Sequence, residues 1–65
     1  MIAARCSCGG QWDRLAFLIA PEKTVDQMVR HWEVGHDVAC LNDVRPIVAQ
    51  TATKLAAIRA ARVSR

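Results

Sequence analysis

The chain lacks a long apolar run, and this absence limits the kinds of protein that it can be. Its longest such run, residues 15–20, is far shorter than the roughly 20 residues that a membrane-spanning helix needs. Arg5 and Cys6 follow Met1 too closely to leave room for the apolar segment of a secretory signal peptide. We therefore expect a cytoplasmic protein with no membrane partner.

Several catalytic patterns are absent as well. There is no paired-carboxylate site, no nucleophile beside a placed base and no phosphate-binding loop. The chain also has no internal repeat, no low-complexity tract and no linker rich in Gly and Ser. These absences favour a small non-enzymatic domain without a small-molecule substrate.

A chain of 65 residues buries too little surface to be stable without help, so a disulfide, a metal or a partner chain is expected to stabilise it. Its three cysteines cannot all pair within one chain. In a reducing compartment, cysteines that accompany histidines are more often metal ligands than disulfide partners. A metal is therefore the favoured source of stability.

Charge divides the sequence into two parts. Residues 1–41 contain four Lys/Arg and five Asp/Glu, a net charge of −1, whereas residues 42–65 contain five Lys/Arg and one Asp, a net charge of +4. This contrast predicts a nearly neutral module over residues 1–41 and a basic helix over residues 42–65. Seven of the nine cations are Arg, a bias typical of a high-GC bacterium or its phage.

The first part of the chain has the pattern of a β-hairpin. Residues 2–5 form the first predicted strand, Gly9 and Gly10 allow a tight turn, and residues 12–20 form the second strand. Pro21 ends this strand.

A first helix is predicted after the hairpin. Thr24 is a suitable N-cap, and Gln27 three residues later completes a capping box. Apolar residues then follow at helical spacing, and Gly35 is a natural stop. The apolar residues are Val25, Met28, Val29 and Trp32.

A second helix is predicted to begin between Asp43 and Pro46 and to reach about residue 61, with Arg45 as a candidate boundary. Its apolar positions repeat with gaps of four and three residues. They are Val44, Val48, Thr51, Leu55 and Ile58. A helix of this length does not stand alone in water, so we expect it to pack on the hairpin or on another chain.

Four candidate metal ligands lie in two pairs, Cys6 with Cys8 and His31 with His36. Two thiolates and two imidazoles are a donor set that suits tetrahedral Zn²⁺. His36 lies one residue beyond Gly35, so it reaches the same point as His31 only if the helix ends there. Cys40 is an alternative to His36. Because a structural zinc site supplies on the order of 10 kcal/mol of folding energy, we expect the metal-free chain to be largely unfolded.

These residues resemble the two-Cys/two-His zinc finger, a ββα unit, over about residues 4–36. Trp12 lies four residues after Cys8 and Met28 lies three before His31, where that family places core residues. Two spacings differ from the family pattern. One residue instead of two or more separates the cysteines, and 22 residues instead of about a dozen separate Cys8 from His31. The resemblance implies a zinc-stabilised ββα module, which makes the whole chain a small α+β protein with a basic, amphipathic C-terminal helix.

The resemblance also implies nucleic-acid binding. The helix residues that would face a major groove are Thr24, Asp26, Gln27 and Arg30, and Gln27 and Arg30 are types that recognise base edges. The basic helix could add phosphate contacts. Its cations are Lys54, Arg59, Arg62 and Arg65. A solvated helix face whose C-terminal cations favour the helix dipole explains them slightly better.

Binding to a protein is the alternative function. Alternation along the predicted second strand leaves Leu15, Phe17 and Ile19 in need of cover. Leu55 and Ile58 of the second helix could cover them within one compact domain. Otherwise Leu15, Phe17, Leu55 and Ile58 would contact a host protein or a second copy in a homodimer.

Overall fold

The computed structural model describes residues 2–63, so Arg65 lies outside the described residues. Its elements in chain order are β1 (Ile2–Cys6), β2 (Gln11–Asp13), α1 (Arg14–Ile19), α2 (Pro21–Glu33), β3 (Val38–Cys40) and α3 (Arg45–Val63). The fold class is small α+β, as predicted. The structure contains an antiparallel three-stranded sheet and three helices. No helix among the described residues is long and apolar enough to cross a membrane.

The predicted hairpin is present, but its second strand is much shorter than expected. β1 pairs antiparallel with β2, and Ala4 lies opposite Trp12. The prediction of a strand through residue 20 is wrong, because the chain turns into α1 at Arg14. Only Phe17 of α1 is buried. Every residue from 15 to 19 is apolar, so a strand here would carry apolar side chains on both faces. The short helix instead buries Phe17 and leaves Leu15, Leu18 and Ile19 exposed.

The predicted start of the first long helix is also wrong. α2 begins at Pro21, where the fixed φ of proline suits a first helical turn. Ala20 has φ −136° and ψ 68° and separates α1 from α2, as expected for a residue before proline. Thr24 is therefore buried inside the helix instead of capping it, and its hydroxyl donates to the carbonyl oxygen of Ala16 at 3.0 Å. The predicted stop is confirmed: α2 ends at Glu33, and Gly35 has φ +91°.

A third strand was not predicted. β3 pairs antiparallel with β1, and Ala4 lies opposite Cys40, so β1 is the central strand of the sheet. Three residues of β3 are too few to show a period in the sequence. This strand returns the chain from the end of α2 to the sheet.

The C-terminal helix begins at Arg45, as predicted, and packs against α2. Val44 and Thr51 are buried, and Val48 and Leu55 pack partly buried against the core. Near the other end of α3, Ile58 remains largely exposed. The apolar side of α3, which was expected to cover residues 15–19, therefore packs against α2 instead. Leu15 and Ile19 remain exposed.

The core lies between the sheet and the two long helices. Its buried members are Ala3, Ala4, Cys6, Trp12, Phe17, Val25, Met28 and Val44. Trp12 and Met28, the core positions implied by the zinc-finger resemblance, both belong to it. Because Cys6 belongs to the core as well, the candidate metal site is continuous with the packed interior.

Candidate metal centre

The structure brings Cys6, Cys8, His31 and His36 together. One ligand atom from each residue lies within 4.8 Å of the others. These residues come from the end of β1, the turn after it, the last turn of α2 and the segment beyond α2. Four donors from separate segments thus converge on one point.

Backbone hydrogen bonds fold the turn after β1 so that both cysteine side chains face the same way. The amide of Cys6 donates to the carbonyl of Gly10 at 2.8 Å, and the amide of Gly9 donates to the carbonyl of Cys6 at 3.0 Å. Gly9 has φ +95°, a conformation that favours glycine. The two Sγ atoms lie 3.4 Å apart as a result.

The histidine pair depends on the end of α2. Gly35 donates to the carbonyl of Trp32 and His36 donates to the carbonyl of His31, both at 3.0 Å. The chain therefore doubles back just beyond the helix, and the two imidazole rings come within 5.2 Å, centroid to centroid. A spacing too wide for one straight helical face is shortened by this bend, as the sequence predicts.

A pair of hydrogen bonds fastens the cysteine turn to the segment that carries His36. Ser7 donates its amide to the carbonyl of Asp37 at 3.2 Å, and the amide of Asp37 donates to the Ser7 hydroxyl at 3.3 Å. The single residue between the two cysteines thus ties the two halves of the site to each other.

Trp12 supports the site from the core side. Its ring meets His31 edge to face, with centroids 5.2 Å apart and planes at 86°. Its indole N–H donates to Oε1 of Gln27 at 3.2 Å. This packing orients His31 so that Nδ1 lies 3.3 Å from Sγ of Cys6 and 3.5 Å from Sγ of Cys8.

The separations among three of the four donors are close to those around a tetrahedral ion. Zinc bonds of about 2.3 Å to sulfur and about 2.0–2.1 Å to nitrogen place neighbouring donors roughly 3.4–3.8 Å apart. The measured separations among Cys6, Cys8 and His31 are 3.3–3.5 Å. His36 brings a second nitrogen donor within 4.8 Å of these three, so the four residues could hold one metal ion.

The two thiols differ in their surroundings. Cys6 is buried in the core, whereas Cys8 is exposed. A hydrogen bond from the backbone of Gly10, and after it the side chain of Cys6, lowers the pKa of the Cys8 thiol. A lowered pKa favours the thiolate, which is the form that binds metal.

Cys40 is not a member of this cluster. It lies on β3 opposite Ala4, packs partly buried against the core, and its Sγ donates to the carbonyl of Leu41 at 3.6 Å. Burial raises the pKa of its thiol. The histidine, and not this cysteine, completes the group of four.

The residues predicted to contact nucleic acid are mostly engaged within the chain. Gln27 accepts the Trp12 indole hydrogen bond, and Arg30 pairs with Asp26 at 3.1 Å. Arg59 pairs with Glu33 at 2.7 Å and with Asp26 at 2.9 Å, and these carboxylates, Glu33 first, raise its pKa. Lys54 and Arg62 lie exposed on α3. Three of the five predicted residues, Arg30, Arg59 and Arg62, line one surface groove, which the carboxylates of Glu22 and Asp26 also line.

The residues predicted to contact a protein partner also separate. Phe17 is buried in the core, whereas Leu55 is partly buried against the core and lines a surface groove with Ile58. Leu15 is exposed, and with it Leu18 and Ile19, at 62%, 61% and 74% of their accessible areas. Sequence reasoning missed Leu18 because it placed these residues on a strand.

Comparison with protein-family models, with curated proteins and with solved structures finds no match for this chain. The ligand cluster and the ββα-like order of β1, β2 and α2 are consistent with the zinc-finger resemblance. The 22 residues between Cys8 and His31 are accounted for by α1, which is inserted between β2 and α2.

Proposed function

We propose that the chain is a non-enzymatic recognition module stabilised by one structural Zn²⁺ ion. The observation that carries this proposal is the convergence of Cys6, Cys8, His31 and His36 within 4.8 Å. Two thiolates and two imidazoles are a donor set that zinc prefers. Four protein ligands leave no open position for a substrate, so the ion would hold the fold and not act in catalysis.

Native mass spectrometry of the purified protein before and after chelation, with circular dichroism alongside, tests this proposal. One zinc ion per chain and loss of helix on chelation are expected, because ligand binding and folding are coupled in small metal domains. A chain that keeps its helices without metal would overturn the structural role. Titration with Co²⁺ adds a spectroscopic check of tetrahedral coordination by sulfur and nitrogen.

We propose that the module recognises a protein through the exposed face of α1. Leu15, Leu18 and Ile19 form an apolar patch on this helix, which we call the α1 patch. A large exposed apolar patch favours docking into an apolar surface on another protein. Arg14 and Asp43, 3.3 Å apart, form a charged pair at its edge.

Nucleic-acid binding is the second candidate, favoured by the +4 charge of residues 42–65 and the exposure of Lys54 and Arg62. It ranks second because Arg30 and Arg59 are paired with carboxylates of α2. A phosphate ligand would have to compete with those carboxylates.

Salt dependence separates the two candidates. Fluorescence anisotropy with a labelled random-sequence DNA duplex and an RNA of equal length would be recorded at rising salt. Affinity that falls steeply with salt, and is lost in a Lys54→Glu/Arg62→Glu variant, would establish nucleic-acid binding and displace the α1 patch proposal.

The protein candidate is tested with a partner captured from lysate, identified and then titrated as a purified protein. Leu18→Asp should abolish the binding, whereas Val34→Asp, an equally exposed position on another surface, should leave it unchanged. Equal binding by wild type and Leu18→Asp would refute the α1 patch.

A further inference from the structure

The hydrogen-bonded ladder between β1 and β3 continues for one pair beyond the two strands. Cys6, the last residue of β1, lies opposite Val38, the first residue of β3. In the same register the next pair is Ser7 with Asp37. Ser7 lies between the two cysteine ligands, and Asp37 directly follows His36. This pair therefore joins the stretch of chain that carries the thiols to the stretch that carries the fourth ligand.

One of the two hydrogen bonds in this pair uses a side chain in place of the backbone. The amide of Ser7 donates to the carbonyl of Asp37 at 3.2 Å, as in a regular antiparallel ladder. A regular ladder would return the second bond to the carbonyl of Ser7. The amide of Asp37 instead donates to the Ser7 hydroxyl at 3.3 Å, because the chain has already turned away from β1 at this residue. We call these two hydrogen bonds the Ser7 clasp.

His36 lies in a segment that the secondary structure does not fix. Cys6 belongs to β1 and His31 to α2, whereas His36 lies in neither a helix nor a strand. On its N-terminal side, its own amide donates to the carbonyl of His31 at 3.0 Å. On its C-terminal side, the clasp holds the adjacent residue. Among the described residues, the clasp supplies the hydrogen bonds that tie this segment to the cysteine turn.

The imidazole of His36 has little else to orient it. Among residues 2–63 it has no hydrogen-bond partner, and its ring contact is with His31 at a centroid distance of 5.2 Å. A ligating histidine is ordinarily oriented by a hydrogen bond to its other ring nitrogen. Since the described residues provide no such bond, the position of this ring depends on the backbone that carries it.

We propose that Ser7 is a positioning residue of the metal centre, whose clasp to Asp37 places His36 where it completes the donor set. Ser7 supplies no ligand of its own, and its hydroxyl is engaged by the amide of Asp37. This inference rests on the proposed zinc ion and concerns how the fourth ligand is placed. It also gives a physical reason for the one-residue spacing of the cysteines, because the residue between them is the one that reaches the segment of His36.

Zinc affinity, measured by competition with a chromophoric chelator, tests the clasp. Ser7→Ala removes the acceptor of one hydrogen bond and should raise the zinc dissociation constant by about 3- to 10-fold, as loss of one hydrogen bond does. Ser7→Thr keeps the hydroxyl and should bind zinc like wild type. Thr53→Ala, which removes a hydroxyl that donates to the carbonyl of Ala49 on α3 at 3.0 Å, is the matched control and should also bind like wild type.

The outcomes separate this inference from the zinc proposal. A wild type that binds one zinc ion, with a Ser7→Ala variant that binds it equally tightly, would refute the clasp and leave the zinc proposal in place. A wild-type chain that binds no zinc would overturn both.

A double-mutant cycle shows whether Ser7 acts through His36. His36→Ala removes the imidazole, so a residue whose task is to place that imidazole has nothing left to act on. Ser7→Ala should therefore change the zinc dissociation constant by less than about 2-fold in the His36→Ala background. An equal loss in both backgrounds would assign Ser7 to the stability of the fold in general and contradict its positioning role.

The absorption spectrum of the Co²⁺-loaded chain gives a further readout that needs no double variant. The d–d bands of tetrahedral Co²⁺ depend on the identity and arrangement of its donors, so a displaced His36 imidazole should alter them. At saturating Co²⁺, Ser7→Ala should differ from wild type, whereas Ser7→Thr and Cys40→Ser should not. Identical spectra for Ser7→Ala and wild type would mean that His36 reaches the metal without the clasp, and the proposal would be wrong.

Discussion

Residues 2–40, which we call the metal module, and α3 differ in how their residues come together. The module has strands of three to five residues, and its donors meet only through turns and helix ends. α3 is a single helix of 19 residues that lies along α2 with apolar contacts. With zinc bound as proposed, the chain would combine a site fixed by ligation with a helix fixed by packing.

Loss of a metal ligand should have the largest effect. If the cluster binds zinc as proposed, Cys6→Ser removes a donor from a site that would contribute on the order of 10 kcal/mol to folding, so the variant should be largely unfolded in circular dichroism. Cys40→Ser, a change of the same type outside the cluster, should remain folded and bind one zinc ion in native mass spectra. A Cys6→Ser protein with wild-type helix content would show that packing alone holds the module.

The core of the module should be the next most sensitive region. Phe17→Ala should cost about 3–5 kcal/mol in denaturant unfolding of the zinc-loaded protein, because it leaves a cavity where the ring is 1% exposed. Leu18→Ala, the next residue on α1 and 61% exposed, should change the stability little. Similar losses in the two variants would contradict the helical assignment of residues 14–19.

A substitution at the start of α3 sharpens the comparison. Val44→Ala should cost about 2 kcal/mol, since the side chain is fully buried against the module. Its zinc stoichiometry should stay at one ion per chain, because none of the ligands belongs to α3. Loss of zinc in this variant would mean that the site depends on the packing of α3. Ile58→Ala, which truncates an exposed apolar side chain near the other end of α3, is the control.

The smallest effect is expected at the ion pairs between α3 and α2. Arg59→Gln removes contacts to Asp26 and Glu33 that lie at the surface and are screened by salt. Its melting temperature should fall slightly at low salt and match wild type at high salt. Lys54→Gln, an exposed cation of α3 with no ion pair among the described residues, should show no such dependence. A loss that persists in high salt would assign Arg59 a packing role.

Much of the metal site was predictable because its ligands are set by local features. Two cysteines on a glycine turn and a helix that stops at Gly35 place donors in pairs, whatever the rest of the fold does. The residue that completes the site together with Cys6, Cys8 and His31 was less predictable. The sequence favours His36 but leaves Cys40 as an alternative ligand, and the pairing of β3 with β1 places Cys40 outside the cluster.

The sequence by itself determined the donor pairs, the end of α2 and the start of α3, because capping, glycine and proline effects act within a few residues. Only the tertiary structure decided that residues 14–19 form a helix, that residues 38–40 join the sheet and that Arg59 pairs with α2. Each of these outcomes depends on which distant residues remain to be buried or neutralised, and a short apolar segment does not contain that information.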